Sequence, residues 1–166
     1  MDIQRPLNSK KLKENPTSYS GRRILLTGTG ITLGDSLTEL IESQCKGLIV
    51  ADDLWSSMDY FLEDVDNHNS DPLEAIATRY LCKNLCGRMI PDIRIPKILE
   101  FCHTFRASGI IYHTLKFCDS YANLRPEFRK FMSHQNIPVL DLDRDYAESN
   151  VGQMQTRIEA FLEMID

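Results

Sequence analysis

The stretch IIYHTLKFCDSY, residues 110–121, decides the fold. It opens with apolar β-forming residues that show no polar alternation, and then turns polar and places Cys118 in front of an aspartate. A continuous apolar strand is typical of a parallel sheet that helices cover on both faces. Cys118 is therefore predicted to follow a buried strand, just beyond the point where that strand ends.

Apolar runs and amphipathic helical patterns alternate around this stretch. The predicted strands are RRILLTG (22–28), GLIVADD (47–53), GIIYH (109–113) and IPVLDLD (137–143). Five helices are predicted: over 33–44, after the Asp71-Pro72 cap, over 95–109, from near Pro126, and after Ser149 or Asn150. The helix after the Asp71-Pro72 cap carries Leu73, Ile76, Ala77 and Tyr80 on its apolar face. This alternation indicates a Rossmann- or flavodoxin-like α/β fold, with an open, mainly parallel sheet of four or slightly more strands and helices on both faces.

Composition and charge bound the function. The 166 residues suit one domain, predicted over 22–166 after a flexible tail or linker remnant at 1–21. Residues 1–23 carry a net charge of +4 and the remainder −9, and so acidic a body argues against nucleic acid as a partner. No apolar run approaches the roughly 20 residues of a membrane span. The start also lacks a signal-peptide pattern, so a cytoplasmic location is expected.

The stretch GTGITLG resembles a dinucleotide-binding turn without matching it. Gly28, Gly30 and Gly34 are spaced G-x-G-x-x-x-G, whereas the nucleotide fingerprint is G-x-G-x-x-G. A tight turn that brings the backbone close to a ligand or a neighbouring segment is the favoured interpretation. A nucleotide site at Gly28 and Gly30 stays open as the weaker one.

The five cysteines are an odd number, which speaks against a disulfide framework. Cys45 and Cys102 fit apolar helix faces or helix ends and are interpreted as core thiols. Cys82 and Cys86 stand four residues apart, so a helix would place both on one face. The sequence has no second ligand pair for a zinc site within the chain, but either thiol could bind a metal whose other ligands come from elsewhere.

Cys118 differs from the other cysteines because it is predicted to lie in a loop at the edge where parallel sheets bind ligands. Neighbouring positive charge from Lys116 favours the thiolate, which is the form that attacks electrophiles and also the form that binds iron–sulfur clusters. His113 could orient a substrate or relay a proton, and a catalytic Cys–His pair is an alternative. The residues alone thus predict a reactive or ligating thiolate.

Six segments occur in the order found in a known family: RILLTGTGITLGDSLTELIE, IVADDL, DPLEAIATRYL, IIYHTLKFCDSYA, IPVLDLDRDY and VGQMQTRIEAFLEM. Over about residues 22–164 the chain resembles the C-terminal domain of the 2-hydroxyacyl-CoA dehydratase/benzoyl-CoA reductase family. The KFCD loop and the terminal helix are the most specific parts of this resemblance.

The resemblance implies a [4Fe–4S] cluster held by cysteines between two similar α/β domains. It also implies a paired subunit and a separate ATP-dependent activator that delivers one electron. In the dehydratases of this family, one-electron reduction of an acyl-CoA thioester permits loss of hydroxide and yields an enoyl-CoA. The expected partners are therefore an acyl-CoA, an N-terminal domain or paired subunit, and the activator.

Carried over residue by residue, the resemblance makes Cys118 the first cluster ligand, followed by Cys86 and then Cys82. His113 and Thr114 are expected to face the site as catalytic residues from the same loop. Gln153 is expected to support the cluster loop, and Arg157 to make a structural pairing.

Two departures from the family pattern bear on activity. Trp55, Ser56 and Ser57 replace a Cys/Thr/Gly-type turn, and the segment CKNLCGRM lacks the usual Cys-Pro pairing. The main hypothesis is therefore a component of an iron–sulfur dehydratase that needs partner domains, with activity of the chain alone left open. A non-catalytic docking domain of the same family is the alternative.

Overall fold

The structure is a computed structural model that describes residues 21–32, 34–54, 58, 64–66, 71–81, 91–145 and 150–165, with the side chains of 91–93 excepted. Its strands are β1 (Arg22–Gly28), β2 (Gly47–Asp53), β3 (Gly109–Leu115) and β4 (Val139–Arg144). Its helices are α1 (Leu37–Glu39), which continues as a π-helical turn over Leu40–Gln44, α2 (Pro72–Leu81), α3 (Pro91–Thr104), α4 (Asp119–His134) and α5 (Val151–Met164).

The four strands form one parallel sheet in the order β2-β1-β3-β4. β1 and β3 lie at the centre, and their side chains from Ile24 to Leu26 and from Ile110 to Tyr112 are almost fully buried. Strands this apolar need cover on both sides, which the helices supply. The predicted open α/β fold is confirmed.

The two faces of the sheet bury separate cores. On one face, α3 and α4 cover Leu25, Ala51, Ile110 and Tyr112. On the other face, α1, its π-helical extension and α5 cover Ile24, Leu26, Ile111 and Leu142. The alternation along each strand thus sends successive side chains to different cores, and this alternation decides which functional groups can meet.

Several predicted boundaries are wrong, among them both ends of α3, which covers Pro91–Thr104 and not 95–109. β3 runs to Leu115 and not to His113, because His113 and Thr114 are both buried and pair with β4. α4 begins at Asp119 and not near Pro126. A proline inside a helix removes one backbone hydrogen bond, but the buried face of α4 holds the helix together across it; this face comprises Tyr121, Leu124, Phe128 and Met132.

The apolar residues of α2 face away from the core. Leu73 is 77% exposed, Ile76 and Tyr80 are each 46% exposed, and Ala75 is the buried residue. Ala75 lies on the side of the helix opposite this stripe, since residues at i, i+3 and i+7 share one face. The predicted Asp71 cap is confirmed by a hydrogen bond from the Leu73 N–H to the Asp71 side chain at 2.9 Å.

Among the described helices, none combines the length and the hydrophobicity that crossing a membrane requires.

Candidate functional site

The carboxyl edge of the sheet has a topological switch point between β1 and β3. From β1 the chain moves outward to β2 on one side, and from β3 it moves outward to β4 on the other. Loops at such a point diverge and leave room for ligands. The turn after β1 and the loop from Lys116 to Cys118 after β3 meet this description.

The turn after β1 is packed tightly against β3. Gly28 has φ +127°, and a Cβ at this position would lie 1.8 Å from the carbonyl oxygen of His113. The next residue, Thr29, donates its N–H to the same oxygen at 3.1 Å. Only glycine permits this approach. The close contact of Gly28 is therefore with a neighbouring strand, whereas nucleotide binding by Gly28 and Gly30 stays a prediction.

A buried polar network lies on the α1/α5 face of this edge. Arg144, at the end of β4, donates from Nη1 and Nη2 to the two carboxylate oxygens of Asp35 at 3.0 and 2.6 Å. Its Nε donates to His113 Nδ1 at 3.3 Å, and Thr29 Oγ1 lies 3.2 Å from the same nitrogen. Asp35 also accepts from the Leu37 N–H at 2.9 Å, so the network joins β3, β4 and the start of α1.

This network fixes the state of His113. A guanidinium can only donate, so His113 Nδ1 accepts and the ring proton lies on Nε2. Nε2 is buried and has no hydrogen-bond partner among the described residues. Burial, reinforced by the charge of Arg144, lowers the pKa of His113 to about 3. The imidazole is therefore neutral at physiological pH and presents an N–H donor.

His113 and Thr114 were predicted to lie in the same loop. The structure instead places them next to one another in β3. Successive side chains in a strand point to opposite faces. His113 thus joins the network with Arg144 on the α1/α5 face, whereas Thr114 lies on the same face as Tyr112 and the α3/α4 core. Cys118 packs against that core. The structure therefore does not form the alternative Cys–His pair.

A second buried ion pair lies on the α3/α4 face. Arg94 is 2% exposed, and its Nε donates to Asp53 Oδ2 at 3.0 Å. Its Nη2 contacts the same carboxylate and Thr27 Oγ1, which itself donates to Asp53 Oδ2 at 2.9 Å. The guanidinium stacks 4.8 Å above the ring of Tyr121. This pair links the ends of β1 and β2 to α3 and to the first turn of α4.

Tyr112 holds that first turn of α4 in place. Its hydroxyl, 2.9 Å from the carbonyl oxygen of Tyr121, donates a hydrogen bond across the sheet–helix interface. Burial raises the pKa of Tyr112 far above its usual range, so the hydroxyl keeps its proton and remains a donor.

Cys118 is the half-buried N-cap residue of α4. Its N–H donates to the Leu115 carbonyl at 3.1 Å, and its own carbonyl accepts from Ala122. Lys116 fixes the loop through an ion pair with Asp145 at 2.7 Å. Between them, Phe117 adopts φ 67° and is 98% exposed. The predicted position of Cys118 beyond the strand, at the edge of the sheet, is thus confirmed.

The other predicted metal ligands, Cys82 and Cys86, lie outside the described residues. Within the described part of the chain, no three His, Cys, Asp or Glu side chains are grouped closely enough to hold a metal ion. Cys102 is a core thiol, as predicted, and burial raises its pKa to about 12. Cys45 is half-buried beside the other core, and burial raises its pKa as well.

The closing helix α5 supplies one confirmed contact. Arg157 donates to the Asp141 carbonyl at 2.7 Å, which is the structural pairing that was expected of it. Gln153 lies in the first turn of α5 with its side chain exposed. Its support of the cluster loop stays a prediction.

Sequence reasoning missed the residues that dominate the edge, namely Arg94, Arg144 and Asp35. The alternation of Leu140, Leu142 and Arg144 could have revealed a buried arginine, since residues two apart in a strand share a face. Asp35 two residues before Leu37 is a helix-start signal. Arg94 lies just ahead of the segment that was assigned to the helix, and the sequence held no comparable signal for it.

Comparison with known proteins identifies the family. The family model of the 2-hydroxyglutaryl-CoA dehydratase D-component matches residues 4–165, a match that begins earlier than the resemblance over 22–164. Similar relatives include the (R)-phenyllactyl-CoA dehydratase beta subunit of Clostridium sporogenes, 24% identical over 90% of this chain and 40% of that protein. The (R)-2-hydroxyglutaryl-CoA dehydratase subunit beta of Acidaminococcus fermentans is 24% identical over 95% of this chain and 42% of that protein.

A third relative, YjiM of Escherichia coli K12, is 31% identical over 97 residues, which are 57% of this chain and 25% of that protein. The chain spans less than half the length of each of these relatives. The family match nevertheless covers nearly all of the chain. The chain therefore belongs to the 2-hydroxyglutaryl-CoA dehydratase D-component family.

Proposed function

We propose that this chain is the cluster-ligating domain of an iron–sulfur 2-hydroxyacyl-CoA dehydratase and acts with partner polypeptides on an acyl-CoA thioester. The observation that carries the proposal is the position of Cys118, half-buried at the N-cap of a 16-residue helix beside the switch point of the sheet. The partners in this proposal are a paired family subunit or N-terminal domain and an ATP-dependent electron donor.

The local structure suits a ligating thiolate. The N-terminus of α4 carries the positive end of a helix dipole, which stabilises negative charge at its first residues. The Cys118 side chain makes no capping hydrogen bond to the first turn of this helix. The Lys116–Asp145 ion pair and the backbone bonds of the loop fix the position of Cys118.

The donor set fits an iron–sulfur group only in part. Thiolate sulfur is the usual ligand of a [4Fe–4S] cluster, which takes four such ligands. The described residues offer Cys118, so the proposal assigns the next positions to Cys86 and Cys82 and the remainder to a partner. When bound, the cluster would supply single electrons at low potential. The chain's own contribution is to hold the ligand and to exclude water with the α3/α4 core behind it.

His113 contributes differently in this proposal. Its neutral ring, held by Arg144 and Thr29, keeps an N–H on Nε2 that does not change with pH in the physiological range. Because it faces the α1/α5 side, it orients the turn after β1 and the edge of the sheet, and it does not ligate with Cys118.

Anaerobic reconstitution with iron and sulfide, monitored by iron content and by electron paramagnetic resonance, tests the proposal. Cys118→Ser should abolish the reduced-cluster signal, whereas the matched control Cys45→Ser, at a half-buried thiol outside the site, should retain it. The experiment is run on the chain with its paired subunit. An unchanged signal in Cys118→Ser would show that the cluster, if any, is held elsewhere.

The exposed stripe of α2 favours a second function, docking to a full-length subunit of the family without catalysis. Leu73 and Leu81 are 77% and 82% exposed, and burying them on a partner would stabilise a complex. Stable association with such a subunit, together with absence of iron from the complex, would select this function.

A further inference from the structure

A proline interrupts the hydrogen bonds of α4 near the middle of the helix. Pro126 has no backbone N–H and cannot donate to the carbonyl of Ala122, so one bond of the helix is missing. Residues 119–125 are therefore linked less firmly to residues 126–134 than in an unbroken helix. A helical segment this short is only marginally stable on its own. The first part of α4 thus depends on contacts with the rest of the fold.

Tyr121 of this segment is held against the sheet by two buried contacts. Tyr112 of β3 donates from its hydroxyl to the Tyr121 carbonyl at 2.9 Å. Arg94, bonded to Asp53 and Thr27, has its guanidinium 4.8 Å from the centre of the Tyr121 ring. Tyr112, Tyr121 and Arg94 are each at most 4% exposed. Together these two contacts form the Tyr121 clamp.

The first turn of α4 connects the Tyr121 clamp to Cys118. The Cys118 carbonyl accepts from the Ala122 N–H at 3.1 Å, so the turn closes around Tyr121. Further contacts hold the far end of the segment: Leu124 is buried in the α3/α4 core, and Arg125 pairs with Asp143, whose side chain is 60% exposed. An ion pair that exposed contributes little to stability.

From this arrangement we infer that Tyr112 is a positioning residue for Cys118, with Arg94 bracing the same turn. The Tyr112 hydroxyl fixes the first turn of α4, which keeps the half-buried thiol against the α3/α4 core. When the clamp opens, residues 119–125 unwind while residues 126–134 stay helical, because proline is a favourable first residue of a helix. The inference deepens the proposed function and rests on it only for what Cys118 binds, since a ligating thiolate needs one fixed position.

Tyr112→Phe tests the inference in the full, iron-free chain. The variant keeps the ring, whose centre lies 5.0 Å from that of Phe128, and removes only the hydroxyl. Hydrogen exchange of the amides of residues 122–125, measured by NMR, should become about fivefold faster, the equivalent of one hydrogen bond. Alkylation of Cys118 by iodoacetamide, resolved from the other thiols by peptide mass spectrometry, should accelerate as well.

Ile158→Val is the matched control. Ile158 is fully buried in the opposite core, and its shortening lowers the global stability by a similar amount without touching the Tyr121 clamp. Exchange at residues 122–125 and alkylation of Cys118 should therefore stay at the wild-type rates in this variant. A hydroxyl that served global stability alone would make the two variants behave alike.

Pro126→Ala tests the role of the proline. It restores the missing N–H, so the double variant Tyr112→Phe/Pro126→Ala should return both rates to the wild-type values or below them. Equal rates in Tyr112→Phe and Ile158→Val would overturn the inference, and so would a double variant as fast as Tyr112→Phe. Retention of the cluster in Cys118→Ser would instead overturn the proposed function and leave the clamp standing.

Discussion

The two faces of the sheet carry similar buried arginine–aspartate pairs at the same edge, but the pairs are built differently. Arg144 uses all three of its nitrogens, two on Asp35 and one on His113, and so closes its network. Arg94 uses two nitrogens on Asp53 and Thr27 and leaves the third unbonded. Within the described residues, the guanidinium of the α1/α5 network is thus bonded through every nitrogen, whereas that of the α3/α4 pair keeps one nitrogen without a partner.

The largest expected effect comes from opening the closed network. Arg144→Met leaves the buried Asp35 carboxylate without its cationic partner. It should lower the free energy of unfolding by about 3–5 kcal/mol, the usual cost of breaking a buried ion pair. Urea denaturation measures this loss. The double variant Asp35→Asn/Arg144→Met keeps an acceptor for the Leu37 N–H and removes the buried negative charge of Asp35.

The double variant should recover about half of the loss, since the uncompensated charge is the main cost of the single change. A double variant no more stable than Arg144→Met would contradict this account. Arg94→Met should destabilise the chain by a similar amount, because it leaves the buried Asp53 carboxylate without its guanidinium and removes four hydrogen bonds and the stacking on Tyr121.

The second largest effect is the pH dependence of the free energy of unfolding that His113 of the α1/α5 network causes. The pKa of His113 is lowered from 6.5 to about 3 in the folded chain, so the unfolded chain binds a proton first as the pH falls. The contribution of His113 to stability is therefore complete above pH 6.5 and is lost progressively toward pH 3. One such group gives a slope of about 1.4 kcal/mol per pH unit, or about 2 kcal/mol near pH 5.

His113→Asn should flatten this slope in urea denaturation from pH 7 to pH 5. His103→Gln, at an exposed position on α3, should leave it as in the wild type. An equal slope in wild type and His113→Asn would show that folding does not change the pKa of His113.

The smallest effect contrasts two buried threonines on the α3/α4 face. The Thr27 hydroxyl is bonded to Asp53 and Arg94, whereas the Thr114 hydroxyl has no partner among the described residues. Thr27→Val should cost about 1–2 kcal/mol, because it removes a partner from buried charged groups. Thr114→Val should cost nothing or stabilise. Equal losses in the two variants, measured by thermal unfolding, would contradict the expected difference between a bonded and an unbonded hydroxyl.

The sequence predicted the parts of the fold that depend on local pattern. Apolar runs located all four strands, and the position of Cys118 followed from the end of β3. The pattern misplaced the start of α4, because Pro126 looked like a first-turn residue and the packing of Tyr121 that extends the helix backward is a tertiary effect. The pattern located the apolar stripe of α2 but not its exposure, since periodicity identifies an apolar face without showing what covers it.

The candidate site was less predictable than the fold. The prediction that His113 and Thr114 face the site from one loop failed, because β3 continues two residues beyond His113, to Leu115, and successive residues of a strand lie on opposite faces. The partners of Arg94 and Arg144 are 41 and 109 residues away in sequence, and no local signal connects such positions. These long-range ion pairs are what organise the edge.

The outer strand β4 has a consequence for how the chain behaves at high concentration. In the described sheet its outer edge is unpaired, and its aspartates Asp141 and Asp143 form ion pairs with Arg129 and Arg125 of α4. Charged residues on an edge strand discourage other chains from adding to it. Replacing both aspartates with valine would turn residues 139–143 into an uninterrupted run of valine and leucine, of the kind that promotes aggregation. The same carboxylates that hold α4 to the sheet therefore also act as gatekeepers against fibril growth.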